Sequence, residues 1–195
     1  MKLRIAALAT GALITAIAFT GCAAGPGEMD GMDHGSTADP DVAANVNPAD
    51  ETFAMEMIAH HQQAIEMADL VLAKSGVDPV VLELAADIKA AQQPEIELMT
   101  SWLTDWGVAV EGMDGMGHGS GMMSEDDMSA LEAADGAAAS THFLDQMIEH
   151  HEGAIAMAET EVEQGQNRDA LELAEKVIID QTSEIEFMQI LRASL

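Results

Sequence analysis

Two short phrases concentrate the reactive side chains of this chain. "MIAHHQQAIEMA" runs from Met57 to Ala68, and "MIEHHEGAIAMA" runs from Met147 to Ala158. Four of the seven histidines sit there as the pairs His60–His61 and His150–His151, with Met57 and Met147 three residues before each pair. Imidazole and thioether are both metal ligands, and residues three apart on a helix lie one turn apart on a shared face. Met57 with a histidine of its pair, and Met147 likewise, can therefore chelate. Adjacent histidines diverge around the helix and are not expected to hold one ion from the same helix.

The donor types select the ion. Thioether sulfur is soft and ill suited to zinc, magnesium or calcium, so methionine with histidine and no cysteine favours Cu(I), with Ag(I) as a mimic and Cu(II) possible where histidines predominate. Met67, Met99, Met157 and Met188 fall on apolar stripes and are further candidates. Gln92, Glu95, Gln181 and Glu184 are polar residues on the same stripes, where they need partners. An amide or carboxylate there can bond the far nitrogen of a ligating imidazole and fix its tautomer. Such a site should weaken as pH falls through the ordinary imidazole range, because a protonated ring cannot ligate. The competing reading is packing, with methionine as core filler and each histidine a hydrogen-bonded core residue. Two glycine-rich copies, "MDGMDHGS" at 29–36 and "MDGMGHGS" at 113–120, add Met29, Met32, His34, Met113, Met116 and His118, with Met122 and Met123 close behind. They are weaker candidates for metal capture, set against a solvated acidic linker.

These residues must be positioned by helices. Aromatics make up 3% of the 195 residues and tyrosine is absent, while alanine and methionine are plentiful, which favours an all-α core. Start and stop signals place helices at about 48–74, 78–106, 137–164 and 167–193, with a short one at 124–134. Pro94 falls inside the second and predicts a kink. The chain is duplicated: Phe53, Met57, His60, His61, Ala64 and Met67 match Phe143, Met147, His150, His151, Ala154 and Met157 at a spacing of 90. Gln92, Glu95 and Met99 match Gln181, Glu184 and Met188 at a spacing of 89. Two amphipathic hairpins, neither able to bury its face alone, predict a four-helix bundle over 48–195, with repeat one at 48–107, a linker at 108–136 and repeat two at 137–195.

The formal net charge of −28 argues against nucleic acid and against direct contact with an anionic membrane. Lys2 and Arg4 precede an apolar run that ends at Thr20-Gly21-Cys22, so residues 1–21 read as a secretion signal. Cys22, the single cysteine, stands where a bacterial lipoprotein is cleaved and lipidated. Residues 22–47 then form a flexible acidic tether, and the mature chain is anchored outside the cytoplasm, at the periplasmic side or the cell surface.

The pattern Phe-x-x-x-Met-Ile-x-His-His-x-x-Ala-Ile-x-Met-Ala, at Phe53 and again at Phe143, resembles the bacterial family called domain of unknown function 305. The segment "GMMSEDDMSALEAADG" from Gly121 to Gly136 is similar to its connecting stretch. The resemblance implies a ferritin-like four-helix protein outside the cytoplasm, with some members associated with copper binding or resistance. It also implies an aspartate three residues before the motif phenylalanine. Asp50 provides it in the first repeat and Ser140 replaces it in the second, so if that aspartate supports the metal site, the second site is the weaker. The function expected is copper sequestration, resistance or trafficking without catalysis. Two rivals are an envelope lipoprotein that recognises another protein, and a ferritin-like redox enzyme. The latter lacks the Glu-x-x-His pairs that di-iron bundles use.

Overall fold

The structure is a computed structural model and describes residues 45–109 and 120–195. The signal segment, Cys22, the tether, and Met29, Met32, His34, Met113, Met116 and His118 lie outside the described residues. Five helices make up the described chain: α1 (Pro48–Leu72), α2 (Pro79–Asp105), α3 (Glu125–Ala133), α4 (Gly136–Gln164) and α5 (Arg168–Ser194). The fold is all-α, a four-helix bundle of two duplicated hairpins with the short α3 in the linker.

Local chemistry accounts for the boundaries. Asn47 caps α1 by accepting the Ala49 and Asp50 N–H groups, and the Asp50 carboxylate returns a bond from the Asn47 N–H at 2.6 Å. That reciprocal box, with Pro48 at the first helical position, fixes the entry of the chain. Asp78 followed by Pro79 opens α2, Ser124 with Asp127 boxes α3, and Asn167 caps α5. The helix α2 runs on through Pro94. In the turn after α1, Gly76 adopts φ +76°, and a Cβ there would come within 3.3 Å of the Gly136 Cα at the start of α4. The positive φ favours glycine, and the close approach leaves little room for a side chain.

Each hairpin packs on itself, α1 on α2 and α4 on α5, and α1 packs on α4 to join them. The core is split in two. One apolar cluster gathers Phe53, Ala54, Met57 and Ile58 of α1, Met99, Trp102 and Leu103 of α2, Ala154 and Ala158 of α4, and Ala170 to Val177 of α5. The other gathers the repeat-related set, with Phe143, Leu144 and Met147 of α4, Met188 of α5, Ala64 to Val71 of α1, and Val81 to Ile88 of α2. Residues spaced by 90 or 89 exchange clusters, as expected of an approximate two-fold axis between the hairpins. All four motif histidines lie between the clusters along the chain, on the helices that cross there.

Candidate metal centre

His60, His61, His150 and His151 are all buried. The antiparallel crossing of α1 and α4 brings the His60 and His150 rings to a centroid distance of 3.7 Å, tilted by 38°, and sets His150 and His151 6.4 Å apart. His61 donates Nε2–H to Glu95 Oε2 at 2.9 Å, and His151 makes the equivalent bond to Glu184 Oε2 at 2.6 Å. A carboxylate only accepts, so the proton belongs on Nε2 and each Nδ1 keeps a free lone pair. Neither Nδ1 has a partner, nor does either nitrogen of His60 or His150. The layer thus holds six imidazole nitrogens with no hydrogen bond.

Burial disfavours the charged form of His60, His61 and His150. It drives His60 down to about 3, helped by the neighbouring imidazoles, and the Ser120 carbonyl, close by but outside hydrogen-bond geometry, offsets little of this. His150 is held well below its ordinary value by burial and by His60, and His61 is lowered by burial against the opposing pull of Glu95. The loss of ligation near the ordinary imidazole range, expected from sequence, therefore does not apply to these three rings. Burial would raise Glu95, but bonds from His61 and from Lys176, whose Nζ lies 2.8 Å from Oε1, hold it below its ordinary value.

The methionines sort by cluster. Met57 and Met99 are wholly buried on one side of the imidazole layer, and Met147, Met188 and Met67 on the other. Met157 is half-buried against the first cluster. The expectation for Glu95 and Glu184 as imidazole partners matches the geometry. That for the amides does not: Gln92 and Gln181 are buried, yet their Oε1 atoms bond to nothing. Asp50 also requires correction. It lies ten residues, about 15 Å of helix, from His60. Its carboxylate accepts the Asn47 N–H and, at 2.9 and 2.8 Å, the Gln166 and Asn167 N–H groups of the α4–α5 turn. In the second repeat Ser140 accepts the Asp78 N–H of the α1–α2 turn in the same way, at 3.0 Å. These residues clasp turns, and the reason for ranking the first repeat above the second is gone.

Sequence reasoning missed the strap at 120–123. Ser120 and Gly121 cross α4 at Gly153, where a Cβ would lie 2.1 Å from the Ser120 carbonyl oxygen and 2.6 Å from the Gly121 Cα. On α1, the repeat-related Gln63 grips the strap from the other side. Its amide donates to the Met123 carbonyl at 2.9 Å and accepts the Met123 N–H at 2.7 Å. Met123 is buried and Met122 half-buried beside it. The signal was present: glycine costs about 1 kcal/mol relative to alanine inside a helix, so Gly153 in a strongly periodic segment needed a packing reason. Glu161, buried opposite Asp50, was also missed. Among the described residues, no three His, Cys, Asp or Glu side chains converge at metal-binding spacing.

The profile of a family described as domain of unknown function (DUF305) matches residues 50–192. The chain belongs to the DUF305 family. No curated protein matches it. Among solved structures it is similar to a DUF305 protein from Streptomyces coelicolor described as a secreted protein, at 36% identity over 75% of this chain and 93% of that one, with a TM-score of 0.69. A DUF305 fragment from Deinococcus radiodurans is 28% identical over 77% of this chain and 99% of that one, with a TM-score of 0.70. CopM in its Cu(II)-bound form is 32% identical over 74% of this chain and 96% of that one, with a TM-score of 0.65. CopM is also known in Cu(I)-bound and silver-bound forms, at 28% and 29% identity to this DUF305 chain.

Proposed function

We propose that this DUF305 protein binds copper as Cu(I) outside the cytoplasm, for sequestration, resistance or trafficking rather than catalysis. One observation carries the reading: six buried imidazole nitrogens without a hydrogen bond, between two clusters that each contribute buried thioethers. Each buried polar group left unpaired costs roughly 1–3 kcal/mol, a debt that a metal taking the lone pair removes. The donor set fits the ion. Burial already favours the neutral form of His60, His61 and His150, so no proton need leave those rings, and Glu95 and Glu184 bond His61 and His151 at Nε2, away from Nδ1. The sparse nitrogen geometry disfavours zinc, which takes four ligands, and favours a soft ion that accepts sulfur. His60, His61, His150 and His151 with Met57 and Met147 would hold it, and Met99 and Met188 stand next in line. The metal-bound forms of CopM and the secreted relative support the same reading. Among the described residues no helix is long and apolar enough to cross a membrane. We infer that Cys22 carries a lipid that provides the anchor, which mass spectrometry of the mature N-terminal peptide tests. An unmodified terminus downstream of Cys22 overturns it.

The decisive experiment replaces His60, His61, His150 and His151 together with Gln and compares thermal melts with and without Cu(I). Ligand binding raises stability by mass action, by about 2.7 kcal/mol at a hundredfold excess over Kd. That gain should vanish in the variant. A Cu(I)-induced shift that survives fourfold replacement refutes the imidazole site. Retention of Zn(II) and Cu(I) in equal measure against a competing chelator refutes the role of the thioethers.

A further inference from the structure

The seam between α1 and α4 has two repeat-related grooves, and α3 fills one of them. The open groove has a volume of about 470 Å3 and is lined by Phe53, Glu56, Met157 and Glu161 among others. Their repeat counterparts are Phe143, Gln146, Met67 and Val71, and over these lies α3. Leu131 of α3 is wholly buried in one apolar cluster with Phe143, Met67 and Val71, and Met128 packs against it. The walls of that groove also hold the α3 backbone. Gln146 donates to the Asp127 carbonyl at 2.8 Å, and Lys74 donates to the Glu132 carbonyl at 2.7 Å. Burial records the difference between the grooves. Met67 is wholly buried and Met157 only half-buried, while Gln146 is buried and Glu56 exposed.

We propose that the chain at 39–46 docks in the open groove as α3 docks in the filled one. Residues 39–44 lie outside the described residues, and position, anchoring and pattern name them as the occupant. The segment α3 is the chain that leads into α4, which begins just beyond it at Gly136. The chain that leads into α1 arrives at Pro48, itself part of the open groove. Asn47 already ties that chain to the opposite wall, donating Nδ2–H to the Gln164 carbonyl at 2.8 Å. Gln164 is the counterpart of Lys74, and its side-chain amide can donate to a docked carbonyl as Lys74 does. In α3 an acidic start, Glu125-Asp126-Asp127, precedes the apolar pair Met128 and Leu131. Asp39-Pro40-Asp41 followed by Val42 and Val46 repeats that order, with the apolar pair again about one helical turn apart. Asp followed by Pro is also the signal that opens α2 at Asp78. As a helix, residues 40–45 span about 9 Å, close to the length of wall from Ala49 to Glu56. Docked there, Val42 covers Met157 and withdraws its thioether from the medium, as α3 withdraws Met67. None of this rests on the copper reading.

The test uses the full chain, free of metal, with valine and methionine methyl groups labelled for NMR. Contacts between the Val42 and Met157 methyls are expected, together with slow oxidation of Met157 by dilute peroxide. Val42→Asp should erase the contacts and speed Met157 oxidation roughly tenfold, the weight of one buried valine side chain. Met67 beneath α3 is the internal control and should oxidise at one rate in both proteins, which separates undocking from a damaged bundle. Absence of the Val42–Met157 contacts, or equal Met157 oxidation in the two proteins, overturns the inference. Protection of Met157 that grows with protein concentration also overturns it, because the occupant is then a second copy of the chain.

Discussion

The two ends of the bundle solve one problem with different chemistry. At one end Ser140 catches the Asp78 N–H with a neutral hydroxyl, donates to the Gly136 carbonyl, and faces a seam whose repeat-related position is Val71. At the other end Asp50 catches two N–H groups of the opposite turn with a charge, and Val71 is replaced by Glu161. As two carboxylates, Asp50 and Glu161 could not bond each other, and the Glu161 oxygens would have no partner. One proton between them supplies the bond. Burial and the Asp50 anion push the Glu161 carboxyl up to about 8. Burial works to raise Asp50 as well, but the three backbone N–H groups and Glu161 hold it below its ordinary value. The difference teaches that a charged clasp binds more N–H groups and in exchange needs a protonated neighbour.

Removing the charged clasp should do the most damage. Asp50→Ala strands three N–H groups, and we expect a loss of about 3 kcal/mol, or roughly 6–12 °C in melting temperature. A melt within 2 °C of wild type would show that water replaces the carboxylate, an estimate of the smallest resolvable change on the same scale. Metal affinity per folded molecule should stay the same, since Asp50 is far from the histidine layer.

The next effect is a slope with pH. Glu161 binds its proton more tightly in the folded state than at the ordinary glutamate value of 4.5, so its contribution is complete below that value and is lost as pH rises towards about 8. Asp50 runs the opposite way, contributing above its ordinary 3.8 and failing as pH falls through its lowered folded value. Urea midpoints should therefore decline between pH 5 and pH 8 in the wild type, and Glu161→Gln should flatten that decline. Parallel profiles for the two proteins would mean that the pair does not share a proton.

The smallest effect belongs to the neutral end. Ser140→Ala leaves one N–H without its hydroxyl, which costs about 1 kcal/mol, or roughly 2–4 °C. The double replacement Asp50→Ser with Glu161→Val copies this end onto the other and should be milder than Asp50→Ala alone, because it removes the buried acid together with the charge. A double variant worse than Asp50→Ala would mean that the two ends are not interchangeable.

What was legible in the sequence follows from what is local. The helices could be placed within a few residues because capping boxes at Asn47 and Ser124, and prolines 48 and 79, are signals written in adjacent residues. The pairing of Glu95 with His61 and of Glu184 with His151 was within reach, since polar residues on an apolar stripe must find partners. The roles of Gln92 and Gln181 were not, because only the packing of the helices shows that their amide oxygens are buried without a partner. The contact of His60 with His150 depends on which helices cross, and periodicity within one repeat is silent on that. Asp50 was misassigned because its proximity to the motif along the chain concealed a partner more than a hundred residues away.

The strap has a consequence for ancestry. Two identical hairpins could pair with perfect two-fold symmetry, and positions 63 and 153 would then carry the same residue. A single connecting peptide laid across those helices cannot obey that symmetry, because it has a direction and there is only one of it. Fusion of the hairpins forces the two positions apart: Gln63 becomes the side that grips, and Gly153 the side that yields. The covalent link thus obliges a duplicated protein to differentiate its halves, beginning one turn from the histidines.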